Sequence, residues 1–93
     1  MISAAKLKYL TNINADEMTG LLLDAGYKGR DEPIINTYFA GMELDSDFSI
    51  INGGEINFFY QAQYVHVDGG LQFADVIVSF DPVTSAVSAD FQS

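Results

Sequence analysis

Three carboxylates at alternate positions, Glu43, Asp45 and Asp47, form the most regular chemical pattern in the chain. On an extended backbone alternate residues project about 6.6 Å apart on one side. Three carboxylates so spaced make a line of negative charge that can imitate a nucleic-acid backbone before a basic groove. At the tip of a hairpin, Asp45 and Asp47 would instead cluster at the apex. D-x-D also occurs in divalent-metal sites, but calcium takes about six to eight oxygen ligands and the spacing of an EF-hand loop is absent, so no metal is expected. His66 is the single histidine, and the chain has neither a cysteine nor a G-x-S-x-G serine for it to activate. Paired carboxylates do acid and base work only in a cleft that separates their pKa values, and no spacing here indicates one. Gly53-Gly54 and Gly69-Gly70 open no helix and precede no lysine, which makes them turn glycines and not a phosphate loop. Tyr38, Tyr60 and Tyr64 alternate like core residues; as platforms for stacked bases they would need basic neighbours that the sequence lacks. No catalytic residue and no cofactor follow from these patterns, and the expectation is a protein that is not an enzyme.

The elements that must position these groups begin with two helices. Ser3 is placed to cap a short helix ending at Leu10, with Leu7 and Leu10 facing inward. Asn14 caps a second helix from Ala15 to Ala25, with Glu17 at the capping-box position and Ile13 and Met18 spaced as a hydrophobic staple. Met18, Leu21, Leu22 and Ala25 make one apolar stripe, and Gly26 stands where a helix commonly stops. Beyond Pro33 the pattern turns to alternation. Strands are expected at 34–44 and 48–51, followed by three more between Ile56 and Phe91. The loops between them are Asp45–Asp47, Asn52–Gly54, Asp68–Gly70 and Asp81–Thr84, the last with Pro82 at the position that suits its fixed φ.

These turns set Phe58 opposite Phe80, Tyr60 opposite Val78, Ala62 opposite Val76 and Val78 opposite Val87, and all four keep the apolar residues on one face. A slip of one residue would invert every side chain, so this agreement is strong. The expected fold is α+β: two N-terminal helices packed on one face of a five-stranded antiparallel meander. It forms a single domain over 1–93, with a helical pair at 1–26 and a sheet at 34–91. The opposite face receives Glu43, Gln61, Gln63 and Asp75 together with Phe59, Val65, Phe73 and Ile77, an apolar group ringed by amides and carboxylates as at a protein interface.

Charge sharpens that picture. The 93 residues carry a net charge of −9 and no cysteine. Residues 1–30 balance at +1, from Lys6, Lys8, Lys28 and Arg30 against Asp16, Glu17 and Asp24, whereas ten carboxylates and no Lys or Arg follow, giving −10. Such a field repels nucleic acid and anionic membranes and attracts basic partners. The absence of cysteine fits a reducing compartment, and neither a signal-peptide core nor a membrane-length apolar run is present, so a cytoplasmic protein is expected.

In size, charge and lack of catalytic motifs the chain resembles, as a class, the small acidic inhibitors that phages use against host nucleases and CRISPR complexes, and immunity proteins against nuclease toxins. No family motif covers any part of it. The likeness implies an inhibitor that occupies a basic, nucleic-acid-binding site on a partner protein, through Glu43, Asp45, Asp47, Phe59, Gln61, Gln63, Phe73, Asp75 and Ile77. Two other functions fit the same sequence. One is a self-associating module joined through Phe59, Val65, Phe73 and Ile77. The other is a small-ligand binder with a pocket between helices and sheet lined by Tyr60, Tyr64 and Tyr9.

Overall fold

The computed structural model describes residues 3–26, 32–44 and 55–92. Its elements, in chain order, are α1 (Ala4–Leu10), α2 (Ala15–Asp24), β1 (Ile34–Leu44), β2 (Ile56–Val65), β3 (Leu71–Phe80) and β4 (Val87–Gln92). The helices start as their caps dictate. The Ser3 hydroxyl accepts from the Lys6 N–H at 3.1 Å, and the Asn14 side chain accepts from the Glu17 N–H at 2.9 Å. Each bond satisfies one amide that helix geometry leaves without an internal partner. Helix α2 ends at Asp24 with Ala25 as its C-cap, and Gly26 follows with φ +84°, a conformation that favours glycine.

Among the described residues the sheet has four antiparallel strands in the order β1-β2-β3-β4, which corrects the expected five-stranded meander. Strand β1 pairs directly with β2, Leu44 opposite Ile56 and Met42 opposite Phe58, in the place expected for 48–51. The expected second strand, and the loops on either side of it, lie outside the described residues. An eleven-residue strand satisfies many more ladder hydrogen bonds along β2 than a four-residue strand can, which favours the direct pairing.

Two hairpins are also offset from the expected register, each by two residues. Gly69 takes φ +89° as the last residue of a loop formed by Val67, Asp68 and Gly69, which the His66 N–H closes by donating to the Gly70 carbonyl at 2.7 Å. Tyr60 therefore faces Val76, and Phe58 faces Val78. In the next hairpin the Asp81 N–H donates to the Ala86 carbonyl at 3.0 Å, so the loop runs past Thr84 to Ser85. The Asp81 carboxylate accepts from the Val83 N–H at 2.8 Å, and Ser85 adopts φ 63°, extending the loop so that Phe80 faces Val87. Sliding a loop by one residue shifts the register by two, so the side chains keep their faces.

The inner face therefore carries Ile56, Phe58, Tyr60, Ala62, Val76, Val78, Phe80 and Ala89, all buried against Leu10, Ile13, Met18 and Leu22 of the helical layer. One side chain joins the two layers by hydrogen bonds as well as packing. The Tyr60 hydroxyl accepts from the Ile13 N–H at 3.0 Å and donates to the Leu10 carbonyl at 2.6 Å. The Thr37 hydroxyl of β1 donates to the Ile13 carbonyl. Both backbone polar groups of Ile13 are thus held by the sheet.

Tyr60→Phe leaves the Ile13 N–H and the Leu10 carbonyl buried without this partner, at a cost of roughly 2 kcal/mol or more. Urea melts at neutral pH should show that loss. Burial raises the Tyr60 pKa above 10.0, an effect partly opposed by the Ile13 N–H. A raised folded-state pKa gives stability that is complete below about pH 10 and is lost as pH climbs through the folded value. The alkaline limb of a pH–stability profile should therefore flatten in Tyr60→Phe.

Candidate interaction surface

The face turned away from the helices is built in cross-strand rows. Glu43, Asn57, Ser79 and Ser88 form the first, Gly41, Phe59, Ile77 and Asp90 the second, and Tyr38, Gln61, Asp75 and Gln92 the third. Asn36, Gln63 and Phe73 make the fourth, and Val65 and Leu71 the last. Of the expected site residues, Glu43, Phe59, Gln61, Gln63, Phe73, Asp75 and Ile77 all share this face. Asp45 and Asp47 lie outside the described residues.

The two-residue offset rearranges the apolar members. Phe59 and Ile77 are direct partners, whereas Val65 pairs with Leu71 and Phe73 with Gln63, so Val65 and Phe73 are not cross-strand partners. Phe73 is 50% exposed and Leu71 58%, well above the values of inner-face residues such as Val76 at 0%.

Tyr38 joins this surface, although strict alternation along β1 places it inward with the core tyrosines. The reason is a register irregularity between Phe39 and Gly41, where Ala40 is an extra residue opposite the ladder. A bulge reverses alternation beyond it. Phe39 consequently packs on the buried Tyr60, their ring centroids 5.4 Å apart, and Tyr38 turns to the outer face. There its ring lies 5.9 Å from that of Phe73, and its hydroxyl accepts from the Asn36 amide at 3.1 Å and donates to Gln63 Oε1 at 3.3 Å. A small pair, Ala40-Gly41, within an otherwise bulky strand was the available sequence signal, because an isolated glycine in a strand often marks a bulge. A second irregularity, at Ile35, sits near the start of the same strand.

Because Gly41 has no side chain, the row containing Phe59 is open toward the β1 edge. A depression of about 430 Å³ lies beside Phe59, lined by Tyr38, Phe59, Gln61, Asp75, Ile77 and Gln92 together with Phe39, Ala40, Tyr60 and Val76. The charged groups of the described outer face are Glu43, Asp75 and Asp90. The described lysines, Lys6 and Lys8, belong to α1 in the helical layer, with the Lys6 ammonium 5.5 Å from the centroid of the inner-face Phe80 ring. The sheet face is therefore anionic and aromatic, and the described cationic side chains lie behind it.

Tyr60 and Tyr64, expected to line a ligand pocket between helices and sheet, are instead core residues at 2% and 9% exposure, with Tyr64 packed edge-on against Phe91. The opening on that side lies between α1 and β1, about 480 Å³ lined by Ala4, Leu7, Lys8, Thr11, Phe39 and Met42. Tyr9 is partly exposed, and its hydroxyl pKa is raised by burial and by the Glu17 carboxylate. His66 is a pairing residue at the β2–β3 hairpin, 3.3 Å from Asp68 and 3.9 Å from Glu32. Among the described residues no group of three His, Cys, Asp or Glu side chains converges as metal ligands, and no helix is long and apolar enough to cross a membrane. Comparisons with protein-family models, with curated proteins and with solved structures found no match.

Two measurements check this description. Phe73→Ser, on the outer face, should change stability by less than about 1 kcal/mol, whereas Phe58→Ala in the core should cost about 3–5 kcal/mol, both read from chemical denaturation. At the hairpin, the Gly70 N–H first and His66 second hold the Asp68 pKa below its ordinary 3.8. That contribution is present above about pH 4 and disappears as pH falls through the lowered value, so the acid limb of the stability profile should be shallower in Asp68→Ala.

Proposed function

We propose that this protein is a non-enzymatic inhibitor that uses the outer sheet face to cover a basic, nucleic-acid-binding site on a partner protein. In kind it is like the phage inhibitors of nucleases and CRISPR complexes, or the immunity proteins of nuclease toxins. The observation that carries the reading is the composition of one face: exposed Phe73, Leu71 and Tyr38 stand among carboxylates and amides, with the described lysines on the opposite layer. Apolar groups of this kind supply area that gains from leaving water. The surrounding carboxylates orient and accelerate approach to a cationic surface and disfavour anionic partners. Asp45 and Asp47, which follow Glu43 in sequence, add to the acidic character of the chain.

Affinity capture on the immobilised protein from lysate at low and at high salt, followed by titration of the purified partner, tests the reading. The expected partner is basic, its affinity falls as salt rises, and Asp45→Asn with Asp47→Asn weakens it further. A partner bound equally well at high salt, or one indifferent to both substitutions and to Asp75→Asn, would sink the proposal. Sedimentation at micromolar concentration distinguishes the competing use of the same face. A dimer split by Ile77→Glu would make the surface a self-association seam, and a monomer leaves it available to another protein.

A further inference from the structure

The depression beside Phe59 is shaped and charged for one kind of guest. We infer that it receives an arginine side chain of the protein partner, an inference that rests on the inhibitor reading above and specifies its contact.

Its floor is formed by the cross-strand pair Phe59 and Ile77, while Tyr38, Asp75 and Gln92 stand in the neighbouring row. An arginine matches each part. Its methylene stem lies along apolar surface while its charged head stays at the rim. The planar guanidinium stacks on an aromatic ring, which Tyr38 and Phe59 offer. Its fork of donors meets carboxylate and amide oxygens, which Asp75, Gln61 and Gln92 provide. Lysine, a strongly hydrated point charge with no flat surface, uses fewer of these features.

Charge complementarity selects a cation over a neutral guest. Among the described residues no lysine or arginine lies within ion-pair distance of Asp75. The bulge at Ala40 turns Tyr38 onto the rim, and Gly41, the cross-strand partner of the floor residue Phe59, places no side chain beside it. A Cβ built at Gly41 meets nothing within 4 Å, and the backbone there is not in the left-handed region, so the space can be filled without a clash. A leucine at this position projects beside Phe59 at the edge of the depression and leaves every charge in place.

The experiment uses the full-length, isotope-labelled protein and records amide NMR spectra during titration with three probes: a hexa-arginine peptide, a hexa-lysine peptide and a hexa-citrulline peptide of the same length without charge. Hexa-arginine should shift amides of Phe59, Gln61, Asp75 and Ile77 and bind more tightly than hexa-lysine, and hexa-citrulline should leave the spectrum unchanged. Asp75→Asn should weaken hexa-arginine by about fivefold, as expected for one partly exposed ion pair, and Gly41→Leu should abolish the shifts at Phe59 and Ile77. Asp81→Asn, in a hairpin loop outside the depression, serves as the charge control and should change affinity by less than about twofold. Retained dispersion of the spectra shows that each variant is folded, and Asp75→Asn keeps the test decisive if Gly41→Leu is not. Hexa-arginine binding that maps elsewhere, or that survives both substitutions, overturns the arginine site and leaves the basic-partner reading standing. Equal binding of hexa-lysine overturns the preference for a guanidinium. Failure of both cationic peptides to bind overturns both readings together.

Discussion

The hydroxyl of Tyr60 is the point through which the helical layer is attached to the sheet. It accepts from the Ile13 N–H and donates to the Leu10 carbonyl, groups at the junction between α1 and α2. A junction between two short helices has backbone groups without helical partners, and burying it beneath a sheet would strand them. Tyr60 and Thr37 supply those partners from below, which allows Leu10, Ile13, Met18 and Leu22 to pack closely over Phe58, Val76 and Val78. With the inner face committed to the helices in this way, the other face of the sheet is turned away from them.

The shape of that other face depends on a single extra residue. Ala40 interrupts the β1 ladder, turning Phe39 toward the core and Tyr38 away from it. Without the bulge, Tyr38 would point toward the helices and the outer face would lose an exposed ring beside Phe73. Bulges also bend and twist the strand that contains them and make an edge less suited to pairing with another sheet. Within the described sheet β1 is an edge strand with two such irregularities, so one feature both blunts the edge and shapes the depression beside Phe59.

Electrostatics adds direction. The lysines of α1 lie in the layer behind the sheet, with Lys6 resting over aromatic rings, while Glu43, Asp75 and Asp90 project from its front. Long-range fields of this kind act mainly on encounter and orientation, whereas close contacts of aromatic and aliphatic groups hold a complex once formed. The two properties occupy the same rows here, which is why the inhibitor reading places its contact on the sheet and not on the helices.

Local chemistry alone determined much of this molecule. Ser3 and Asn14 cap helices wherever an amide lies within reach, and the periodicity of Met18 and Leu22 fixes which side of α2 is buried. The alternation from Ile56 to Phe80 likewise separates Phe58, Tyr60 and Val76 from Phe59, Gln61 and Asp75, and that separation survived two displaced loops because each moved the register by an even number of residues. The number of strands was not legible, because the glycines after Asn52 have the composition of a hairpin turn whether or not a short strand precedes them. Strand β1 settled the matter by pairing along the whole of β2, a contact between segments distant in sequence. The side of the sheet taken by Tyr38 was likewise decided in three dimensions, since a bulge responds to the fit of two strands against each other, and no period within one strand encodes it.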